Sequence, residues 1–160
     1  ALEIRPGYGQ FLKALSSVFD KVTALDNSEE MLEQSIARAS TQGLQNIAFV
    51  VGDTQQALNQ GTKYDLVSLN MVLHHNPTPA EIISDCAQLL AKSGVLIITD
   101  LCAHDQEWAR ESCGDIWLGF EPEALTRWAE AAGFKEGSSL YLTQRNGFRI
   151  QLRQFSLGKS

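Results

Sequence analysis

The chain has 160 residues, 44% of them hydrophobic, enough for one domain with a full core and too few for two. A formal net charge of -6 excludes the basic face that a nucleic acid or an anionic membrane surface would require, so the expected partner is a small molecule. Cys86, Cys102 and Cys113 lack CxxC spacing, which excludes a disulfide framework and a zinc knuckle and suits a reduced, cytoplasmic protein.

The opening stretch Leu2 to Gly9 reads as a buried strand ending in a glycine turn. Gly7 and Gly9 let the backbone bend and approach a ligand with no Cβ in the way. A helix over residues 10–19 follows, with Phe11, Leu12, Leu15, Val18 and Phe19 at helical spacing. Its free N–H groups would face the same point. A second strand covers Lys21 to Leu25. The next helix is expected to be capped by Asn27, with Glu30 as reciprocal partner, and to end at Gly43. Residues 47–51 form a third strand closing on Gly52-Asp53-Thr54, and residues 64–70 a fourth. Thr78, Pro79 and Glu81 have the spacing of a helix start, and Ser93-Gly94 marks its stop before a fifth strand over Val95 to Thr99. Residues 101–120 read as a partly helical excursion. A helix from Pro122 to Gly133 then precedes a hairpin whose strands, 138–144 and 148–156, flank Arg145-Asn146-Gly147.

Strands alternating with helices imply a parallel sheet wound on both faces, and the last hairpin must add one antiparallel strand. No linker or repeat interrupts the pattern, so residues 1–160 are expected to form a single domain. Because Ala1 already lies in a strand, that domain is expected to be the C-terminal part of a longer protein. No apolar run approaches the roughly 20 residues of a membrane span.

In such a sheet a ligand sits beyond the carboxyl ends of the strands. The first five strands each finish in or beside a polar residue: Glu3, Asp26, Asp53, Asn70 and Asp100. Asp26 follows the glycine turn by about 20 residues, where a carboxylate can accept both ribose hydroxyls. It is equally placed to cap the next helix. Asp53 with Thr54 is placed to accept from an adenine amino group, or simply to turn the chain after Gly52.

The order Glu3-x-x-x-Gly7-x-Gly9, Asp26, Gly52-Asp53, Tyr64-Asp65-Leu66-Val67 to Asn70 and His75, then Leu89 to Leu96 resembles the S-adenosylmethionine-dependent methyltransferases of the Rossmann-like class. The resemblance implies a seven-stranded sheet in the order 3-2-1-4-5-7-6 with strand 7 antiparallel. It further implies S-adenosylmethionine as cofactor, S-adenosylhomocysteine as product and a small-molecule methyl acceptor. Glu3, Arg5, Gly7, Gly9, Asp26, Asn27, Gly52, Asp53, Thr54, Asn70 and Met71 would surround the cofactor. His74 and His75, after strand four, are the candidates for a general base, against a structural role as loop histidines bonded to backbone. No metal site is expected.

Residues 104–128 are similar, on fewer positions, to methyltransferase domains fused behind winged-helix repressors of the arsenical-resistance type. That supplies a second reading, a non-catalytic domain sensing S-adenosylhomocysteine or S-adenosylmethionine, with a homodimer left open. A nucleotide-binding α/β protein outside the family is the plainer alternative. Cys102 and Cys113 could bind an arsenite acceptor or be incidental. Trp108 and Trp117 could wall an acceptor pocket, while Trp128 is expected in the core. The departure from the family pattern is Arg5, which stands where its first glycine belongs. Its side chain could pair with a ligand carboxylate, fill the methionine pocket, or point to solvent.

Overall fold

In the computed structural model, which describes residues 1–6, 11–104 and 117–157, the strands form a seven-stranded sheet in the order β3-β2-β1-β4-β5-β7-β6. The strands are β1 (Leu2–Ile4), β2 (Val22–Asp26), β3 (Ile47–Val51), β4 (Tyr64–Asn70), β5 (Leu90–Leu101), β6 (Phe134–Thr143) and β7 (Arg149–Leu157). The first five pair in parallel, and β7 runs antiparallel to both β5 and β6. This is the order that the resemblance implies. It places the reversal of strand order at β1, between β2 and β4, and so fixes where a ligand-binding crevice must open.

The helices are α1 (Leu12–Val18), α2 (Glu29–Thr41), α3 (Thr54–Asn59), α4 (Pro79–Leu89) and α5 (Pro122–Ala131), with a 3-10 turn at Leu73–His75. Leu12 and Leu15 of α1 bury one face of the sheet with Val22 and Ala24. On the other face Ile83, Cys86 and Leu89 of α4 and Leu125 and Ala129 of α5 share one core with residues of the central strands, among them Val67, Leu69, Leu96 and Ile98. Each fully buried aliphatic side chain there contributes about 1.5–3 kcal/mol of transfer free energy.

Several local expectations move by a few residues. β2 runs through Asp26, so the cap of α2 falls on Ser28, whose hydroxyl accepts from the Met31 N–H, and not on Asn27. Helix α1 is shorter than expected, and Val18, at its last position, is 74% exposed instead of joining the apolar face. Ser93-Gly94 does not stop α4. The helix ends at Leu89, and β5 begins at Leu90 with an irregularity opposite the Tyr64–Leu66 stretch. Ser93, at φ 62, supplies the left-handed residue of that bulge. Thr78 does precede α4 with Pro79 in its first turn, but its side chain makes no capping bond. The Asn76 Oδ1 accepts from the Thr78 N–H instead, an Asx turn.

The terminal hairpin turns at Gly147, with φ 87, as the Asn-Gly pair predicts. Its β7 strand carries Gln151, Arg153 and Phe155 inward beneath α5. The buried Arg153 donates to the Pro122 carbonyl, the Thr126 hydroxyl and Glu136 Oε1, the last at 2.7 Å. These bonds tie α5 to both hairpin strands and offset the desolvation of a guanidinium.

Candidate functional site

The carboxyl ends of β1, β2, β3 and β4 converge on a cleft of about 80 Å³ lined by Arg5, Asn27, Gly52, Asp53, Thr54 and Asn76 over a floor of Ile4, Leu25, Val72 and Ile82. Polar groups on the rim and aliphatic groups beneath suit a ligand with a flat ring and a hydrogen-bonding edge. A larger hollow of about 530 Å³ lies between the start of β2, the start of β4 and the end of α1. It faces the amino ends of the strands, away from the side where such sheets bind ligands.

Glu3 ends up 1% exposed, directly across from Ala24 of β2 and Ser68 of β4. Burial pushes its carboxyl up to about 8, only partly opposed by the Ser68 hydroxyl. Its Oε2 has no hydrogen-bond partner among the described residues. A buried carboxyl oxygen left over in the central strand is a group that a ligand or its loop would satisfy.

Two non-glycine residues just past the carboxyl ends of β1 and β4 have left-handed backbones. Arg5 has φ 53 and Met71 has φ 58. Such conformations cost about 1–2 kcal/mol each and persist where neighbours fix the chain. Here the Arg5 N–H donates to the Leu25 carbonyl at 2.6 Å, and the Met71 N–H to the Thr99 carbonyl at 2.7 Å. The Arg5 side chain is exposed at the rim of the cleft and does not fill it.

Asp26 is 3% exposed and its Oδ1 accepts from the Ser28 N–H at 3.0 Å. A carboxylate has about four lone-pair sites, so capping and ligand binding are compatible there. Asp53 caps α3 through a reciprocal box with Gln56. Gly52 is buried beside them, and a Cβ at that position would meet the Gln56 Oε1 at 2.5 Å. The neighbouring Thr54 hydroxyl donates to Asp85 at 2.9 Å, which pins α3 to α4. Asn27 is exposed on the rim and Asn70 is half-buried at the end of β4. Gly7 and Gly9 lie outside the described residues.

The two histidines part company. His74 is 4% exposed, its Nδ1 lies 2.6 Å from Asp100 Oδ1, and its backbone N–H donates to the other Asp100 oxygen. His75 is half-buried, with its ring centroid 4.1 Å from that of His74. Trp117 closes this side of the site. Its backbone N–H donates to the His74 carbonyl and its Nε1 to the Asn76 carbonyl, each at 3.0 Å. Trp117 also stands 5.6 Å from Phe120 and 6.2 Å from Trp128 between ring centroids. Trp128 packs on the core, as its helical position predicts. Trp108 and Cys113 lie outside the described residues. Cys86 is buried and Cys102 half-buried, both as free thiols. No cluster of metal-binding side chains occurs among the described residues.

Asn76 is the rim residue that the sequence reading passes over, although Asn-Pro-Thr is an Asx-turn signal. The Asp100 pairing with His74 leaves no signal in the sequence, because it joins the end of β5 to the 3-10 turn 26 positions away.

The sequence pattern of the methyltransferase-domain family matches residues 5–133. This chain belongs to that family. The methyltransferase-domain chain is 24% identical over 147 residues to the ubiquinone biosynthesis O-methyltransferase of Coxiella burnetii (strain Dugway 5J108-111), covering 84% of this chain and 62% of that protein. It therefore spans less than two thirds of the length of that curated relative. Among solved structures, the N-methyltransferase NodS of Bradyrhizobium japonicum WM9 in complex with S-adenosyl-L-homocysteine superposes with a TM-score of 0.77 at 18% identity, covering 99% of this chain and 77% of that one. The arsenic(III) S-adenosylmethionine methyltransferase of Chlamydomonas reinhardtii does so with a TM-score of 0.71 at 19% identity, covering 99% and 62%. At these identities the two structures show a common fold.

Proposed function

We propose that this methyltransferase-domain chain binds S-adenosylmethionine at the ends of β1 to β4 and transfers its methyl group to a small-molecule acceptor. The observation that carries the reading is the convergence of Arg5, Asn27 and the Gly52-Asp53-Thr54 turn on one cleft within this family's sheet, with the buried Glu3 and Asp26 in the strands that lead to it. Asp26 would hold the ribose hydroxyls, and Asp53 with the Thr54 backbone the adenine edge. The strand-one turn, with Glu3, Arg5, Gly7 and Gly9, would hold the amino-acid part, flanked by Asn27, Asn70 and Met71. The bound sulfonium supplies an activated methyl, and the protein's own part is orientation and exclusion of water.

The acceptor would enter on the side of Trp117 and the His74–His75 turn. His74, committed to Asp100, holds that turn in place, and His75 is the better placed of the two to take a proton from an acceptor hydroxyl or amine. The O-methyltransferases among the relatives support a small-molecule acceptor without naming this one.

The exposed Arg5 on the cleft rim favours a second reading, a ligand-sensing domain of a transcriptional regulator, in which binding and not turnover is the output. Calorimetry of the chain with S-adenosylmethionine and S-adenosylhomocysteine tests both. Saturable one-to-one binding, lost in Asp26→Ala, is the expected result, and no binding of either ligand sinks both readings. Methyl transfer to a panel of phenolic and amine acceptors, with product formation followed by mass, then separates enzyme from sensor.

A further inference from the structure

Arg5 replaces a glycine of the family pattern with a cation, and the backbone keeps the left-handed conformation that a glycine would adopt freely, φ 53. The chain tolerates that strain with the guanidinium exposed on the rim of the cleft. We propose that Arg5 tilts the cleft toward the neutral thioether S-adenosylhomocysteine and against the sulfonium S-adenosylmethionine. The proposal rests on the adenosyl-binding reading and adds the selectivity of the same site.

The reasoning is one of charge. The two ligands share the adenosine and the amino-acid part and differ by one methyl group and one positive charge. Any contact of Arg5 with the common carboxylate therefore cancels from the ratio of their affinities. Repulsion between the guanidinium and the sulfonium does not cancel. Carboxylates near the cleft attract the sulfonium whether or not Arg5 is charged, so they leave the difference made by Arg5 in the ratio. Asp53 is the carboxylate among the described cleft-lining residues, and accepting the Gln56 N–H leaves its charge in place. Asp26 lies behind it, with one oxygen on the Ser28 N–H. Glu3, two residues from Arg5, is held largely uncharged at neutral pH because burial raises its carboxyl to about 8.

The test is the ratio of dissociation constants for S-adenosylmethionine and S-adenosylhomocysteine, measured by calorimetry on the whole chain and on Arg5→Gln, Arg5→Gly and Arg5→Lys. Gln removes the charge at similar length, Gly also releases the backbone, and Lys keeps the charge. Both neutral variants are expected to move the ratio toward S-adenosylmethionine by roughly threefold to tenfold, the size of one like-charge pair in a partly solvated cleft. Lys should leave the ratio near that of the unaltered chain. Raising the salt from about 0.05 M to about 0.5 M should bring the ratios of the unaltered chain and the Gln variant closer together. A ratio that changes by less than about twofold in both Gln and Gly, while both ligands still bind, overturns the role given to Arg5. Absence of binding in every variant overturns the adenosyl site itself, a different and distinguishable failure.

Discussion

Glu3 is a carboxyl side chain 1% exposed in the middle of a parallel sheet, between Ala24 and Ser68, and it pays for that position in proton affinity. Its folded value of about 8 lies above its ordinary 4.5, so the folded state holds a proton that the unfolded chain has already lost between those limits. Stability from this group is fully present below about pH 4.5 and declines as pH rises toward 8. Glu3→Gln, which mimics the protonated form, should match the unaltered chain near pH 5 and exceed it at pH 8 by roughly 4 kcal/mol or less. Urea midpoints of both proteins at the two pH values check this, and parallel pH profiles would show that Glu3 is ionised in the fold. Arg5 is a second residue whose cost is local. Arg5→Gly should raise the free energy of unfolding by about 1 kcal/mol, read from the same urea curves, because φ 53 then carries no Cβ penalty.

Among the elements, the segment that returns from Trp117 to α5 is joined to the end of β5 by an isolated bridge between Cys102 and Phe120. Gly119 makes this approach possible. Its φ is 73, and a Cβ there would stand 2.1 Å from the Cys102 carbonyl oxygen, which is backbone and has nowhere to go. Gly119→Ala should therefore destabilise the protein by about 3 kcal/mol or more and loosen Trp117 from the His74–Asn76 turn. A fall in the thermal midpoint together with a red-shifted Trp emission is the expected pair of signals. An unchanged midpoint would mean that the bridge contributes nothing. Local signals for the other elements were readable where they were strictly local: the Asn-Gly turn, Pro79 and Pro122 in the first turn of a helix, and the Leu125 and Ala129 stripe. They failed where a neighbour intervened. Ser93-Gly94 looks like a helix stop, yet pairing of Leu90 with Tyr64 draws the strand back over it and turns the pair into a bulge.

At the level of the whole molecule, the cleft exists only because β2, β1 and β4 lie side by side, and a ligand bridging their ends stabilises the sheet by mass action. S-adenosylhomocysteine at about 100 times its dissociation constant should add about 2.7 kcal/mol to the free energy of unfolding, and the thermal midpoint should climb with the logarithm of concentration. A midpoint insensitive to ligand would contradict the binding reading independently of calorimetry. No helix of the described residues is long and apolar enough to cross a membrane.

The amino-acid pattern by itself determined the alternation of strands and helices, the antiparallel final strand and the succession Glu3, Asp26, Asp53, Asn70, Asp100 at strand ends. Those depend on periodicity, turn chemistry and a recognisable order of residues along the chain. Tertiary structure decided what each polar group then does. It turned His74 inward onto Asp100, left His75 half-buried, and buried Arg153 beneath α5 with Thr126 and Glu136. It set Arg5 on the rim of the cleft with a left-handed backbone. Exposure, ionisation and pairing come from what neighbouring strands and loops bring within a few ångströms, and contacts between distant positions leave no periodic trace in a single sequence.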